Sequence, residues 1–108
     1  MLSERVIGKK AWVTGAAHGI GRASAWALAE AGADVAISDI NEKGLEETAE
    51  YIRKLGRKAL VLPADITKEN EIEETINTIV DKWGKLDIAY CNAGTFKDIP
   101  AEDMPLEE

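Results

Sequence analysis

Thr14-Gly15-Ala16-Ala17-His18-Gly19-Ile20-Gly21 follows the apolar run Ala11-Trp12-Val13 and opens an amphipathic helical pattern. A glycine-rich turn between a strand and a helix aims several backbone N–H groups, and the positive end of the helix dipole, at one spot. Phosphate or pyrophosphate is the natural occupant. Gly15 suits the tight turn, Gly19 a close approach of backbone to pyrophosphate, and Gly21 close packing of the helix on a sheet. Asp39 closes the next strand pattern, eighteen residues after Gly21. A carboxylate there accepts hydrogen bonds from a ribose diol and repels a 2′-phosphate. The two features together point to a dinucleotide, NAD rather than NADP.

Other reactive side chains are few. His18 is the sole histidine and lies inside the glycine turn, where its backbone serves a phosphate while its ring faces solvent or the cofactor. Cys91 is the sole cysteine. At a strand end beside apolar residues it reads as a small core residue rather than a nucleophile. No second His or Cys stands at metal-ligand spacing, so no metal site is expected.

Alternating strand and helix patterns must position these residues. Strand patterns run over 10–14, 34–39, 59–64 and 86–90. The first helix pattern spans 19–31, with Ile20, Ala23, Ser24, Ala27, Leu28 and Ala31 as its small-residue face. Asn41 can cap a second helix with the stripe Leu45, Ala49, Ile52 and Leu55. Thr67 can cap a third, with Ile72, Ile76, Ile79, Val80 and Trp83. Gly32, Gly56 and Gly84 stand where helices end. Continuous apolar strands joined by single helices imply parallel strands buried on both faces. The expected fold is α/β, a Rossmann-like doubly wound parallel sheet with strand order 3-2-1-4. Helices one and two cover one face and helix three the other. The stretch 103–108, with Asp103 and Pro105, reads as the opening of a fourth helix, so the chain reads as the N-terminal part of something longer.

Composition narrows the function classes. The chain has 108 residues, enough for one domain, with a net charge of −7. Dispersed Lys and Arg argue against nucleic acid or an anionic membrane as partners. No apolar run approaches the ~20 residues of a membrane span. No secretory signal is visible, and one cysteine suits a reducing compartment, so the expected location is the cytoplasm.

The motifs also resemble a known family. Thr-Gly-x-x-x-Gly-x-Gly at 14–21 is the spacing of classical short-chain dehydrogenase/reductases, and Asp39, Asp65-Ile66 and Asn92-Ala93-Gly94 agree with that family in order and spacing. The resemblance covers the whole chain, 1–108, as the NAD-binding Rossmann portion. It implies that Gly15, Ala17, His18, Gly19, Ile20 and Gly21 hold the adenosine ribose and pyrophosphate. It places Asp39 on the ribose hydroxyls, Ile40 along the adenine, Asp65 at the adenine amino group and Ile66 beside it. Asn92, Ala93 and Gly94 would line the ribose and approach the nicotinamide side. On its own chemistry, the alternative for Asp65 is an acid solvated at a strand end before the Thr67 cap. Cys91 departs from the family's Asn-Asn-Ala-Gly, removing one side-chain hydrogen bond near the sheet end. The family's catalytic serine and Tyr-x-x-x-Lys pair find no match: Tyr51 is followed four residues on by Leu55 and Tyr90 by Gly94. The resemblance therefore implies the NAD(H)-binding portion of an oxidoreductase that interconverts alcohols and ketones, homo-oligomeric in its full-length form. The portion itself would carry no catalytic residue. The alternative is a free-standing, non-catalytic nucleotide-binding module.

Overall fold

A computed structural model describes residues 6–91. The readings at Asn92-Ala93-Gly94 and at the fourth helix, 103–108, lie outside the described residues. In chain order the elements are β1 (Lys10–Thr14), α1 (Gly19–Glu30), β2 (Asp34–Ser38), α2 (Glu42–Lys54), β3 (Ala59–Val61), α3 (Glu69–Trp83) and β4 (Ile88–Tyr90). The strands form one parallel sheet in the order β3-β2-β1-β4, as the alternating pattern implied. Strands two, three and four are shorter than their apolar patterns. Asp39 lies just past the end of β2 rather than within it.

Strand alternation sends residues to opposite faces, and each face has its own core. Ala11, Val13, Val35 and Ile37 face α1 and α2 and pack with Ala25, Ala29, Leu45, Ala49 and Ile52, all fully buried. Burying one such Leu or Ile contributes about 1.5–3 kcal/mol before its entropy cost. On the other face Trp12 pairs in register with Ala36 on β2 and Ala89 on β4. The two small neighbours leave room for the indole, whose N–H donates to Ser38 Oγ at 2.9 Å. α3 covers this face through Ile79, with Ile72, Ile76 and Trp83 half-buried and Val80 exposed.

Two local expectations need correction. The buried row of α1 is Gly21, Ala25 and Ala29, while Ile20 is 68% exposed and Ala23 and Ala27 face solvent. Alanines surround this helix, so hydrophobicity alone does not select a face. The i, i+4, i+8 row of smallest side chains permits the closest approach to the sheet. Nor does Thr67 cap α3: the N-cap is Lys68, which makes no side-chain cap bond. The Thr67 hydroxyl donates instead to Asp65. Asn41 does cap α2, its Oδ1 accepting the Gly44 N–H at 3.0 Å. Among the described residues, no helix is long and apolar enough to cross a membrane.

Candidate functional site

The carboxyl-terminal ends of β1, β2 and β3 open onto one cleft of about 420 Å³. Its walls are Gly15, His18, Gly19 and Ile20 from the glycine turn, Asp39 and Ile40 past β2, and Ala64, Asp65, Ile66 and Thr67 past β3. In open parallel sheets, ligands bind in the crevice at this end of the strands. Eight residues expected at the site from sequence therefore meet there: Gly15, His18, Gly19, Ile20, Asp39, Ile40, Asp65 and Ile66. Ala17 and Gly21 stand behind the wall. Gly21 is buried where α1 meets the sheet. Ala17 is 1% exposed and turns its N–H to Asp39 Oδ2 at 3.2 Å.

The turn has the form of an anion cradle. Gly15 and Gly19 have φ of 65° and 63°, a region side chains disfavour. A Cβ on Gly19 would meet nothing within 4 Å, so the backbone there is open to a ligand. α1 begins at an exposed His18 N-cap with no side-chain cap bond and no acid in its first turn. Its leading N–H groups and dipole are left for a ligand to satisfy. α2, by contrast, starts with the Asn41 cap and Glu42. A pyrophosphate suits the first helix start and not the second.

Asp65 is oriented by its own turn, and Asp39 by its own turn and the glycine turn together. Asp39 accepts the Ala17 N–H on Oδ2 and the Asn41 N–H on Oδ1 at 3.1 Å. Asp65 Oδ1 takes the Thr67 hydroxyl at 2.6 Å and the Thr67 N–H at 3.0 Å. Those two bonds hold its carboxyl below the usual range. The Asp65 backbone is held from α3, where Glu71 Oε1 accepts its N–H at 2.6 Å. Ile40, 74% exposed, offers an apolar edge beside Asp39. Burial pushes the Cys91 thiol up to about 11, so it carries no thiolate at neutral pH.

Sequence reasoning missed the supports of the turn. Arg22, in the first turns of α1, reaches the opening of α2. Its Nε donates to Thr48 Oγ1 at 2.8 Å, and its Nη2 to the carbonyls of Ala17 at 2.5 Å and Gly44 at 3.0 Å. Glu47 pairs with the same nitrogen at 3.2 Å. The buried Thr48 hydroxyl lies 2.7 Å from the Ala16 carbonyl and donates to it. Gly44 is required by contact: a Cβ there would stand 2.7 Å from Ala17 Cβ and 2.9 Å from its carbonyl oxygen. The available signal was a glycine at the third position of a helix that had no need of one.

The comparisons with known proteins agree on one family. The family described as short chain dehydrogenase matches residues 9–108. A cyclohexanol dehydrogenase from Rhodococcus sp. (strain TK6) is 42% identical over 107 residues, 88% of this chain and 40% of that protein. The short-chain dehydrogenase/reductase homolog YusS from Bacillus subtilis (strain 168) is 38% identical over 100 residues, 92% of each chain. The crystal structure of a hydroxysteroid dehydrogenase from Escherichia coli superposes with a TM-score of 0.80 at 38% identity, covering 94% of this chain and 44% of that one. The chain thus spans less than half the length of the two named dehydrogenases.

Proposed function

The chain belongs to the short chain dehydrogenase family, and we propose that it is the NAD(H)-binding portion of an oxidoreductase that interconverts alcohols and ketones. The observation that carries this reading is the single cleft shared by the open start of α1, the Asp39 carboxylate and the Asp65-Ile66 wall. Gly15, His18, Gly19 and Ile20 hold the pyrophosphate through backbone N–H groups. Asp39 accepts hydrogen bonds from the ribose hydroxyls, Ile40 and Ile66 flank the adenine, and Asp65 meets its amino group. Asn92, Ala93 and Gly94 complete the ribose side. A bound nicotinamide supplies hydride acceptor or donor chemistry.

This chain's own residues bind and orient. The family's proton-transferring Tyr-x-x-x-Lys pair has no match within the 108 residues, and on this reading alcohol turnover is the work of a homo-oligomeric full-length form acting on a small alcohol or ketone in the cytoplasm. NAD is preferred because a 2′-phosphate would face Asp39, with only the apolar Ile40 beside it. Such like-charge juxtaposition costs on the order of several kcal/mol.

Calorimetric titration with NAD, NADP and ADP-ribose tests the reading. NAD and ADP-ribose should bind comparably and NADP far more weakly. Equal affinity for NAD and NADP would overturn the cofactor assignment. One finding favours a second reading, a free-standing nucleotide-binding module: this chain is nearly coextensive with YusS. NADH formation from a panel of secondary alcohols by the 108-residue chain would exclude both versions, since each lacks the proton-transfer pair.

A further inference from the structure

We propose that Arg22 is a positioning residue that sets nucleotide selectivity from behind the cleft wall, by holding through Thr48 the Ala16-Ala17 peptide whose N–H orients Asp39, and directly the peptide that follows it. The inference rests on the nucleotide reading above. Arg22 is not among the residues lining the cleft. Its Nε donates to Thr48 and its Nη2 to the Ala17 and Gly44 carbonyls and Glu47, and its guanidinium lies 5.6 Å from the centre of the Trp26 ring. It therefore acts through what it holds. A peptide unit is rigid, so a carbonyl pinned at one edge fixes the plane of the group. The Ala17 N–H that donates to Asp39 Oδ2 shares its peptide plane with the Ala16 carbonyl, which accepts from the Thr48 hydroxyl, and Thr48 Oγ1 in turn accepts from Arg22 Nε. Arg22 Nη2 also donates to the carbonyl of the following peptide, Ala17 O, and so fixes the next plane of the turn. Two successive carbonyls of the turn are thus tied to α2 by one fork and one hydroxyl. The carboxylate they orient is the group that would meet the 2′ position of the ribose.

Selectivity follows from that orientation. A fixed Asp39 accepts from a 2′-hydroxyl and opposes a 2′-phosphate. If the Ala16-Ala17 peptide is released, Oδ2 loses its donor and the carboxylate can rotate away from an incoming phosphate. NAD binding weakens because an ordered acceptor is lost, while NADP is opposed less. Loss of the Arg22 charge alone works the other way. Removing a cation within a Debye length of the turn weakens the more anionic NADP further. The sign of the change in the NADP-to-NAD ratio of dissociation constants separates the two roles.

The test is calorimetric titration of NAD, NADP and ADP-ribose against the unmodified protein, Arg22→Met and Arg22→Lys, with urea unfolding of the same samples. Methionine keeps an unbranched apolar stem beside Trp26 and removes the fork. For Arg22→Met we expect the NAD dissociation constant to rise on the order of tenfold and the ratio to fall by a similar factor. Lysine keeps the charge, but a single ammonium cannot span Thr48 and both carbonyls at once. Its ratio should fall part of the way, and it carries the test if Arg22→Met does not fold. A ratio that stays level or rises in the folded variants overturns the proposal. A general loosening that lowers NAD and NADP affinity equally overturns it too. If the unmodified protein binds none of the three nucleotides, the nucleotide reading itself fails, and this inference with it.

Discussion

The two ends of the sheet carry aspartates at comparable strand-end positions and use them in opposite ways. At the amino-terminal end, Asp34 and Asp87 meet cations and strand backbone. Asp34 takes the Lys10 ammonium at 2.6 Å and the Lys58 N–H at 2.9 Å. Asp87 takes the Lys10 N–H at 2.8 Å and pairs with Lys85 at 3.3 Å. The Lys10 ammonium also lies 5.5 Å from the centre of the Trp83 ring. These contacts join β1, β2 and β4 to the approach of β3. At the carboxyl-terminal end, Asp39 and Asp65 accept from neutral donors of the loops around them, and among the described residues neither forms an ion pair. Charge that is cancelled by cations holds strands together. Charge that is left beside the open start of α1 can address hydroxyls while the helix start addresses phosphate.

The largest break in this contrast comes from exchanging the two ends. Asp39→Ala should weaken NAD by about 10- to 100-fold, the worth of hydrogen bonds to a charged group, and bring NAD and NADP affinities together. Asp34→Ala should leave nucleotide affinity unchanged and lower stability by about 1 kcal/mol, since its partner lysine remains partly solvated. Calorimetry and urea unfolding on both variants give the comparison. Loss of NAD binding in Asp34→Ala would show that the ends are not separable.

Gly44→Ala sharpens the comparison at the support of the turn. Alanine favours a helix over glycine by about 1 kcal/mol. Here its Cβ would stand 2.7 Å from Ala17 Cβ, so overpacking should win and cost about 1–3 kcal/mol net. A stabilised Gly44→Ala in thermal melts would mean that the turn is not docked on α2.

The helix starts offer a smaller test. Asn41→Ala removes the cap bond to Gly44 and should cost about 1 kcal/mol. Lys68→Ala at the start of α3 removes no cap bond and should be near neutral in the same urea experiment.

The smallest effect is the acid limb of stability. The Lys10 N–H on Asp87 holds that carboxyl below its ordinary 3.8. For Asp34, partial burial raises the value, but the Lys10 bond together with Lys58 outweighs it, and the net shift is downward. A carboxyl lowered by folding contributes stability that is fully present above the ordinary value and is lost as pH falls through it toward the folded one. Urea midpoints followed down to about pH 3 should therefore decline below the usual carboxylate range. Asp87→Asn should flatten the decline in part, with Asp34 and Asp65 retaining their share. A slope identical to that of the unmodified protein would remove Asp87 from the account.

Patterns local to the sequence determined a good deal. Alternating apolar runs, the helix-ending glycines and the Asn41 cap sufficed for the element order and for the sheet β3-β2-β1-β4. They sufficed because parallel strands joined by helices have few permitted arrangements. The glycine turn, Asp39 and Asp65-Ile66 were legible because backbone demands for φ and for strand-end placement leave marks at fixed spacing. The face of α1 was not legible, since alanine on every side carries no periodic signal and closeness of packing decided it. Nor was the Thr67 hydroxyl's choice of Asp65 over the start of α3, which depends on the path of one turn. Arg22, Thr48, Gly44 and Glu71 look in sequence like ordinary helix residues. Only the tertiary structure brings them behind the cleft, because their partners are backbone groups whose positions exist once α1, α2 and α3 have docked on the sheet.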